Sequence, residues 1–186
     1  NMGISVGEAA KLTSTLARVT DGSIETAQNL AASTKEFAKQ NGVVPSEAIR
    51  DMAENSEKFA EYGANSAIEL SKAAVQARKL GVDMGTLGKV TDSLLDFESS
   101  ITNELELSAM LGKNINLNQA RALAYEGKMG DAVKETIKQL GGRDAFNKMD
   151  IYQKREAAKT LGITVDELSK MTENMDKLND DGTFQK

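Results

Sequence analysis

The residues best suited to acid–base chemistry form an acidic cluster of Asp92, Asp96, Glu98, Glu104 and Glu106. A paired-carboxylate hydrolase needs two carboxyl groups that face each other across a cleft, one of them kept protonated by its surroundings. Helical spacing puts Asp92 and Asp96 on one face, but no feature of the sequence marks a cleft. A solvated helix face is the favoured interpretation, and no catalytic residue is predicted.

A second candidate, for calcium, is the stretch Lys177-Leu-Asn-Asp-Asp-Gly-Thr-Phe. Gly182 would hold the sixth position of an EF-hand loop, with Asn179 and Asp181 as ligands. However, Lys177 stands where the first acidic ligand belongs, and the position of the closing Glu lies beyond the sequence. The stretch is interpreted as a polar turn, and no metal site is predicted.

Two glycine-containing segments invite comparison with phosphate-binding loops. They are Gly85-Thr-Leu-Gly-Lys89 and Gly127-Lys-Met-Gly130. A P-loop has a defined Gly and Lys spacing and follows a β-strand. Neither segment has that spacing, and no strand pattern precedes them. Both are predicted to be helix starts and turns, and no cofactor is predicted.

A third segment has the spacing of a helix-turn-helix. Gly162 follows Ala158 by four residues, and Ile163-Thr164 then leads into an amphipathic helix. That helix, residues 165–176, carries a single Lys against four carboxylates, namely Asp166, Glu167, Glu173 and Asp176. Because neutralising phosphates supplies most nonspecific DNA affinity, these carboxylates oppose binding. A helical corner that does not bind DNA is the favoured interpretation.

Composition removes most enzyme classes. The 186 residues include no cysteine and no histidine, which excludes a disulfide framework, a Cys or His zinc site and a His-activated nucleophile. The net charge is −5, and the densest basic cluster is limited to Lys148, Lys154, Arg155 and Lys159. The protein is therefore predicted to be neither an enzyme nor a nucleic-acid binder.

The elements that would position these residues are helices joined by a recurring turn. Gly3-Ile-Ser, Gly81-Val-Asp and Gly162-Ile-Thr share one pattern at intervals of 78 and 81 residues. In this pattern Gly ends a helix in the left-handed conformation, the apolar residue folds back on it, and the third residue caps the next helix. A looser copy begins at Gly42, and an offset of about 40 suits a helix-pair repeat. A true repeat and shared αα-hairpin chemistry explain these matches equally well.

Helix starts are also marked by capping residues. Ser5 with Glu8, and Thr164 with Glu167, have capping-box spacing. Pro45 suits the first turn of a helix, where its missing amide costs nothing. These signals predict helices at 5–20, 23–41, 46–61, 65–80, 83–111, 118–126, 129–140, 150–161 and 164–178.

The predicted fold is all-α, a multi-helix array of αα-hairpins that is repeat-like if the turn matches reflect duplication. Residues 1–81 are predicted to form N-terminal hairpins, and 82–186 a long helix followed by C-terminal hairpins, as two parts or one continuous domain. The long helix has an apolar seam at Leu87, Val90, Leu94, Phe97 and Ile101. Because Glu104 interrupts the seam early, a core stripe is favoured over a coiled coil.

Two stretches carry a family resemblance. The first is Asp92-Ser-Leu-Leu-Asp-Phe-Glu-Ser-Ser-Ile-Thr-Asn-Glu-Leu-Glu-Leu-Ser-Ala-Met-Leu-Gly-Lys-Asn-Ile-Asn-Leu-Asn-Gln-Ala-Arg121. The second is Ala145-Phe-Asn-Lys-Met-Asp-Ile-Tyr-Gln-Lys-Arg-Glu-Ala-Ala-Lys159, followed by Leu-Gly-Ile-Thr. Both resemble segments of the tail tape measure proteins of tailed bacteriophages, and the likeness covers residues 60–172.

The resemblance implies a long helical protein that lies in the phage tail tube, sets its length and leaves through it during DNA ejection. Tape measure proteins are much longer than this chain, so it would be one structural domain with the ruler outside it. The implied partners are tail-tube or tail-tip proteins and copies of the chain itself. The implied location is the virion tail, after assembly in the host cytoplasm. No catalytic residue is carried over, because the family motif has none.

Two alternatives remain open from the sequence. One is a DNA-binding helix-turn-helix protein, and the other is a helical-repeat adaptor that binds a protein partner. No apolar run of eighteen residues occurs, so no membrane contact is expected from this segment.

Overall fold

The computed structural model describes residues 5–19, 23–55, 61 and 66–177, and these residues form helices joined by turns and loops. The α-helices in this part are α1 Val6–Val19, α2 Ile24–Gln40, α3 Pro45–Glu54, α4 Ser66–Lys79, α5 Met84–Leu95, α6 Phe97–Leu111, α7 Asn118–Tyr125, α8 Met129–Leu140, α9 Gly142–Lys148, α10 Ile151–Thr160 and α11 Val165–Asn174. A short 3-10 turn, Met175–Lys177, follows α11. No strand occurs among the described residues, and the predicted all-α fold is confirmed.

Helix α2 is central to the N-terminal part, where it packs against α1, α3 and α4. Its buried face consists of small residues, Ala27, Ala31, Thr34 and Ala38. The Thr34 hydroxyl donates to the Leu30 carbonyl at 2.7 Å and lies 2.8 Å from the Ser71 hydroxyl of α4. Small side chains let the helices approach closely, and this hydrogen bonding satisfies the buried hydroxyl groups.

Helices α4, α5 and α8 form the middle of the molecule. Each packs against the other two, and α5 also contacts α6 and α7. The closest approach involves Gly130 of α8, since a Cβ atom there would lie 1.7 Å from Oε1 of Gln76 on α4. Gly130 therefore makes room for a buried glutamine side chain where α8 crosses α4.

The C-terminal helices complete the array. Helix α6 packs against α10, α9 packs against α8 and α11, and α10 packs against α11. One hydrophobic core runs from Leu12 on α1 to Met171 on α11. Both predicted segments, 1–81 and 82–186, contribute to this core, and their division into domains stays a prediction.

The predicted turn geometry is confirmed at three sites. Gly42, Gly81 and Gly162 have φ of +68°, +79° and +66°. In each turn the next apolar residue donates its amide to a carbonyl five residues back, as Val82 does to Ala77 at 3.0 Å and Ile163 to Ala158 at 3.1 Å. This is the bond of a Schellman motif, which satisfies a carbonyl that the helix end would leave without a partner.

The predicted helix starts are also confirmed. The Glu8 amide donates to Ser5 Oγ, and the Ser5 amide to the Glu8 carboxylate. The same reciprocal pair joins Thr164 and Glu167. Pro45 is the first residue of α3. The predicted turn at Gly3-Ile lies outside the described residues.

The prediction of one helix over 83–111 is wrong. The chain leaves the helical conformation at Asp96, which has φ −77° and ψ 79°. The Asp96 side chain accepts a hydrogen bond from the Ser99 amide, so it ends α5 and caps α6. A side-chain oxygen that satisfies the first amides of a new helix favours a break at this position.

One other predicted boundary is wrong, and one helix was missed. Helix α3 ends at Glu54 rather than at 61, and the Asn55 side chain donates to the Asp51 carbonyl at this end. Helix α9 was not predicted, because two adjacent glycines, Gly141 and Gly142, precede it. Both have positive φ, and they turn the chain directly from α8 into this short helix.

Candidate protein-interaction surface

The acidic cluster that suggested hydrolysis is used for structure. Asp96 caps α6. Glu104 pairs with Arg121 of α7, and Glu106 pairs with Lys159 of α10 at 3.3 Å. Asp92 and Glu98 lie exposed on α5 and α6. Along the described part of the chain, no group of three or more acidic side chains is arranged to hold a metal ion.

Glu104 and Arg121 form a buried polar cluster between α6 and α7. The Arg121 guanidinium donates to Glu104, to the Ser100 hydroxyl at 2.9 Å and to the Asn118 side-chain carbonyl oxygen at 2.9 Å. Glu104 also accepts from the Leu117 amide at 3.0 Å. These bonds fix the start of α7 against α6, so they determine which face of α6 remains open.

A second buried ion pair, Asp51 with Arg78, was not predicted. Arg78 of α4 donates through two nitrogens to the Asp51 carboxylate of α3, which also accepts from the Met84 amide of α5 at 3.2 Å. Burial raises the pKa of Asp51, although the bonds from Arg78 and Met84 lower it. The hydrogen bond to Asp51 raises the pKa of Arg78. This pair joins three helices, α3, α4 and α5.

The glycine-containing segments are helix starts and turns, as the sequence predicted. Gly85 to Lys89 lies within α5, and Lys89 pairs with Glu167 at 3.4 Å. Gly127 has φ +77° in the turn before α8, and Gly130 packs on Gln76.

The segment with helix-turn-helix spacing folds as α10, a turn and α11. A Cβ atom at Gly81, in the turn between α4 and α5, would lie 3.1 Å from Asn174 Nδ2 and 3.7 Å from Lys170 Cβ. The α4–α5 turn therefore packs against one side of α11. Lys170 also pairs with Asp166 at 2.9 Å.

The nearby basic cluster is partly occupied by contacts within the protein. The Lys154 ammonium lies 5.2 Å from the centre of the Phe146 ring. Lys159 pairs with both Glu106 and Glu156. Of the residues predicted to resemble a calcium loop, Asn179, Asp181 and Gly182 lie outside the described residues.

Among the residues that the structure describes, the most extensive exposed apolar feature on one helix face is a line of three side chains on α6. We call it the α6 stripe, and its members are Phe97, Ile101 and Leu105, with exposed fractions of 49%, 49% and 64%. Each member follows the previous one by four positions, so at about 100° per residue all three lie within about 80° of one another around the helix axis. The stripe is therefore a continuous surface along two helical turns.

The α6 stripe corrects the predicted core seam. Leu87, Val90 and Leu94 on α5 are buried as predicted, but Phe97 and Ile101 are not. The break at Asp96 interrupts the helical register, so the spacing that buries residues of α5 does not carry over into α6. The signal that the sequence offered was Asp96 followed by Glu98, an acidic start typical of a new helix.

Other exposed apolar side chains lie at helix ends. Tyr125 is the last residue of α7, and Ile151 and Tyr152 are the first of α10. Single exposed apolar residues are normal on protein surfaces. The α6 stripe differs from them because its members follow one face of one helix.

Comparisons with protein-family models, curated proteins and solved structures found no significant match to this chain. Within the described ranges, none of the helices has the length and apolar character needed to cross a membrane.

Proposed function

We propose that this chain is a structural, non-catalytic helical domain of a phage tail tape measure protein, and that it acts by binding other tail proteins. The observation that carries the proposal is the α6 stripe. The stripe lies within residues 92–121, one of the two stretches that resemble the tape measure family. The partners that we propose are tail-tube or tail-tip proteins and further copies of the chain, in the virion tail.

The size of the α6 stripe suits a protein contact. Fully burying one large apolar side chain contributes about 1.5–3 kcal/mol. Because Phe97, Ile101 and Leu105 are about half exposed, the remaining contribution is roughly 1 kcal/mol each. A partner that covers all three would gain about 3 kcal/mol, or roughly 100-fold in affinity.

Non-catalytic function is supported by how the acidic residues are used. Glu104, Glu106 and Asp51 each bind a basic side chain, and Asp96 caps a helix. Carboxylates engaged in this way position helices. Acid–base catalysis would need a carboxyl group directed at a substrate.

The DNA-binding alternative is less well supported. The candidate recognition helix α11 carries three exposed or half-exposed carboxylates and contacts the α4–α5 turn on one side. To enter a DNA groove, α11 would have to present to the phosphates either the side that contacts the α4–α5 turn or the side that carries its carboxylates. We therefore propose that α11 packs within the protein and does not contact DNA.

The proposal is tested by weakening the α6 stripe. Phe97→Ser, Ile101→Ser and Leu105→Ser are combined, and binding to purified tail-tube and tail-tip proteins is measured by size-exclusion chromatography with light scattering. We expect roughly 100-fold weaker binding with an unchanged helical spectrum. The matched control combines Ser substitutions at Ile24, Val44 and Ile68, which are also exposed.

The outcomes separate the alternatives. Equal loss of binding in both triple variants would show that exposed apolar area, and not the α6 stripe, drives association. A stripe-dependent complex with a protein that is not a tail component would favour the adaptor alternative. Salt-dependent binding to duplex DNA would favour the helix-turn-helix alternative.

A further inference from the structure

Two helical hairpins in this chain match each other in sequence position and in burial. We call residues 77–93 the first hairpin unit and residues 158–174 the second. Every position in the second unit follows its counterpart by 81 residues. The buried pairs are Ala77 and Ala158, Leu80 and Leu161, Val82 and Ile163, Leu87 and Leu168, Val90 and Met171, and Thr91 and Thr172.

The two units also contact each other reciprocally. The glycine turn of the first unit packs on the second helix of the other, since a Cβ atom at Gly81 would lie 3.7 Å from Lys170 Cβ and 3.1 Å from Asn174 Nδ2. The turn of the second unit packs in the same way on α5. A Cβ atom at Gly162 would lie 3.5 Å from the Lys89 carbonyl oxygen and 2.2 Å from Ser93 Oγ.

The contacting positions correspond one to one. Lys170 and Asn174 are the counterparts of Lys89 and Ser93, each 81 residues later. Thus each turn meets the same two positions of the opposite unit. The Asn174 side chain adds a hydrogen bond to the Leu80 carbonyl at 3.2 Å.

Reciprocal contacts of this kind identify the type of symmetry. In an isologous pair, residue i of one unit contacts j of the other and j contacts i, and the pair closes on itself. In a solenoid, each repeat contacts its neighbours by translation, and the array stays open. Lys11 of α1 is the counterpart of Lys89 in the copy of the turn that begins at Gly3. If the Gly162 turn contacted Lys89 by translation, the Gly81 turn would contact Lys11 in the same way.

We infer that the two hairpin units are a duplicated element paired about an internal pseudo-twofold axis. The duplication explains why the turn pattern at Gly81 recurs at Gly162, and the closed pairing explains why α5 and α11 each accept the turn of the other unit. Because the pair closes on itself, these turn contacts are not passed on to a third copy, as they would be in a solenoid.

Disulfide cross-linking in the full chain tests the pairing. The Cβ separations of 3.7 Å for Gly81 with Lys170 and 3.5 Å for Gly162 with Ser93 fall near the range of about 3.5–4.5 Å found in disulfides. We expect Gly81→Cys with Lys170→Cys, and Gly162→Cys with Ser93→Cys, to oxidise within one molecule. The chain has no cysteine of its own, so alkylation and mass spectrometry report these bonds without background.

The control for the translational arrangement is Gly81→Cys with Lys11→Cys. We expect it to keep two free thiols under the same oxidation. Both double variants that contain Gly81→Cys carry the same strain from a side chain at positive φ. This strain therefore does not account for a difference in disulfide formation between them. A disulfide in the control, with none in the variant that combines Gly81→Cys and Lys170→Cys, would overturn the pseudo-twofold pairing. Free thiols in both expected pairs would overturn it as well.

An exchange of turns tests the duplication. Val82→Ile with Asp83→Thr gives the first unit the turn of the second, and Ile163→Val with Thr164→Asp does the reverse. Both capping residues accept from the next helix, so we expect each exchange to shift the melting temperature by less than about 4 °C. Loss of cooperative unfolding in both exchanges would show that the units are not interchangeable.

Discussion

Replacing Arg121 with methionine should have a large effect on stability, because its guanidinium joins α6 to α7. The Arg121→Met side chain keeps much of the apolar stem but removes hydrogen bonds to Glu104, Ser100 and Asn118. Glu104, whose side chain is 14% exposed, would then keep its charge without the guanidinium.

The expected size follows from burial. Removing one partner of a buried ion pair costs about 3–5 kcal/mol, because the remaining charge is poorly solvated. For a protein of this length, each 1 kcal/mol corresponds to about 2–4 °C. We therefore expect Arg121→Met to lower the melting temperature by roughly 6–20 °C, measured by circular dichroism.

The matched control is Lys159→Met, which breaks the pair with Glu106, on the same helix as Glu104, and a second pair with Glu156 of α10. The side chains of Lys159 and Glu106 are more than half exposed, at 58% and 53%. Solvent screens the charges of exposed ion pairs, so we expect Lys159→Met to lower the melting temperature much less than Arg121→Met does.

A double variant checks the cause. Combining Arg121→Met with Glu104→Gln removes both charges, and we expect a smaller loss than the sum of the single losses. Equal, small losses for Arg121→Met and Lys159→Met would refute the conclusion that the buried cluster holds α6 and α7 together. If the loss in the double variant equals the sum of the two single losses, a buried unpaired charge is not the cause of the destabilisation.

Three further predictions follow from burial, close packing and charge. Gly130→Ala should destabilise the protein by about 1–3 kcal/mol in urea unfolding, because its Cβ would meet Gln76, and Gln76→Ala should recover most of this loss. A Gly130→Ala protein as stable as wild type would contradict the close crossing of α4 and α8. Burial raises the pKa of Asp51 above its usual 3.8, so its titration stabilises the fold most below pH 3.8, and this stabilisation is lost as the pH rises through the folded pKa. The free energy of unfolding of wild type, measured relative to Asp51→Asn, should therefore increase as the pH is lowered from about 7 to about 4. A decrease over the same range would contradict this prediction. We expect no binding to duplex DNA in gel-shift titrations at physiological salt. Micromolar binding would make the helix-turn-helix alternative the first choice.

The local features of this fold could be predicted from the sequence. The turns at Gly81 and Gly162 and the capping box at Thr164 depend on residues within a few positions of one another. Their conformations follow from backbone sterics and from which amides a nearby side chain can reach. Such signals also located most of the helices.

The features that were missed depend on residues distant in the chain. Asp51 and Arg78 are 27 positions apart, and Glu104 and Arg121 are 17 apart. No local spacing reports such pairs, although a lone Arg in the alanine-rich α7 was a sign of a buried cation. The break at Asp96 was missed because the apolar seam continues through it, and only the capping geometry shows that the seam is divided.

Cross-linking mass spectrometry of purified phage tails tests directly whether the α6 stripe binds a tail protein. Lys113 lies exposed just beyond the end of α6, so a lysine-reactive reagent reports on what lies near the α6 stripe. We expect this chain to be a component of the tail, with Lys113 linked to a tail-tube or tail-tip protein. Absence of the chain from purified tails, or links to those proteins only from lysines far from α6, would contradict it.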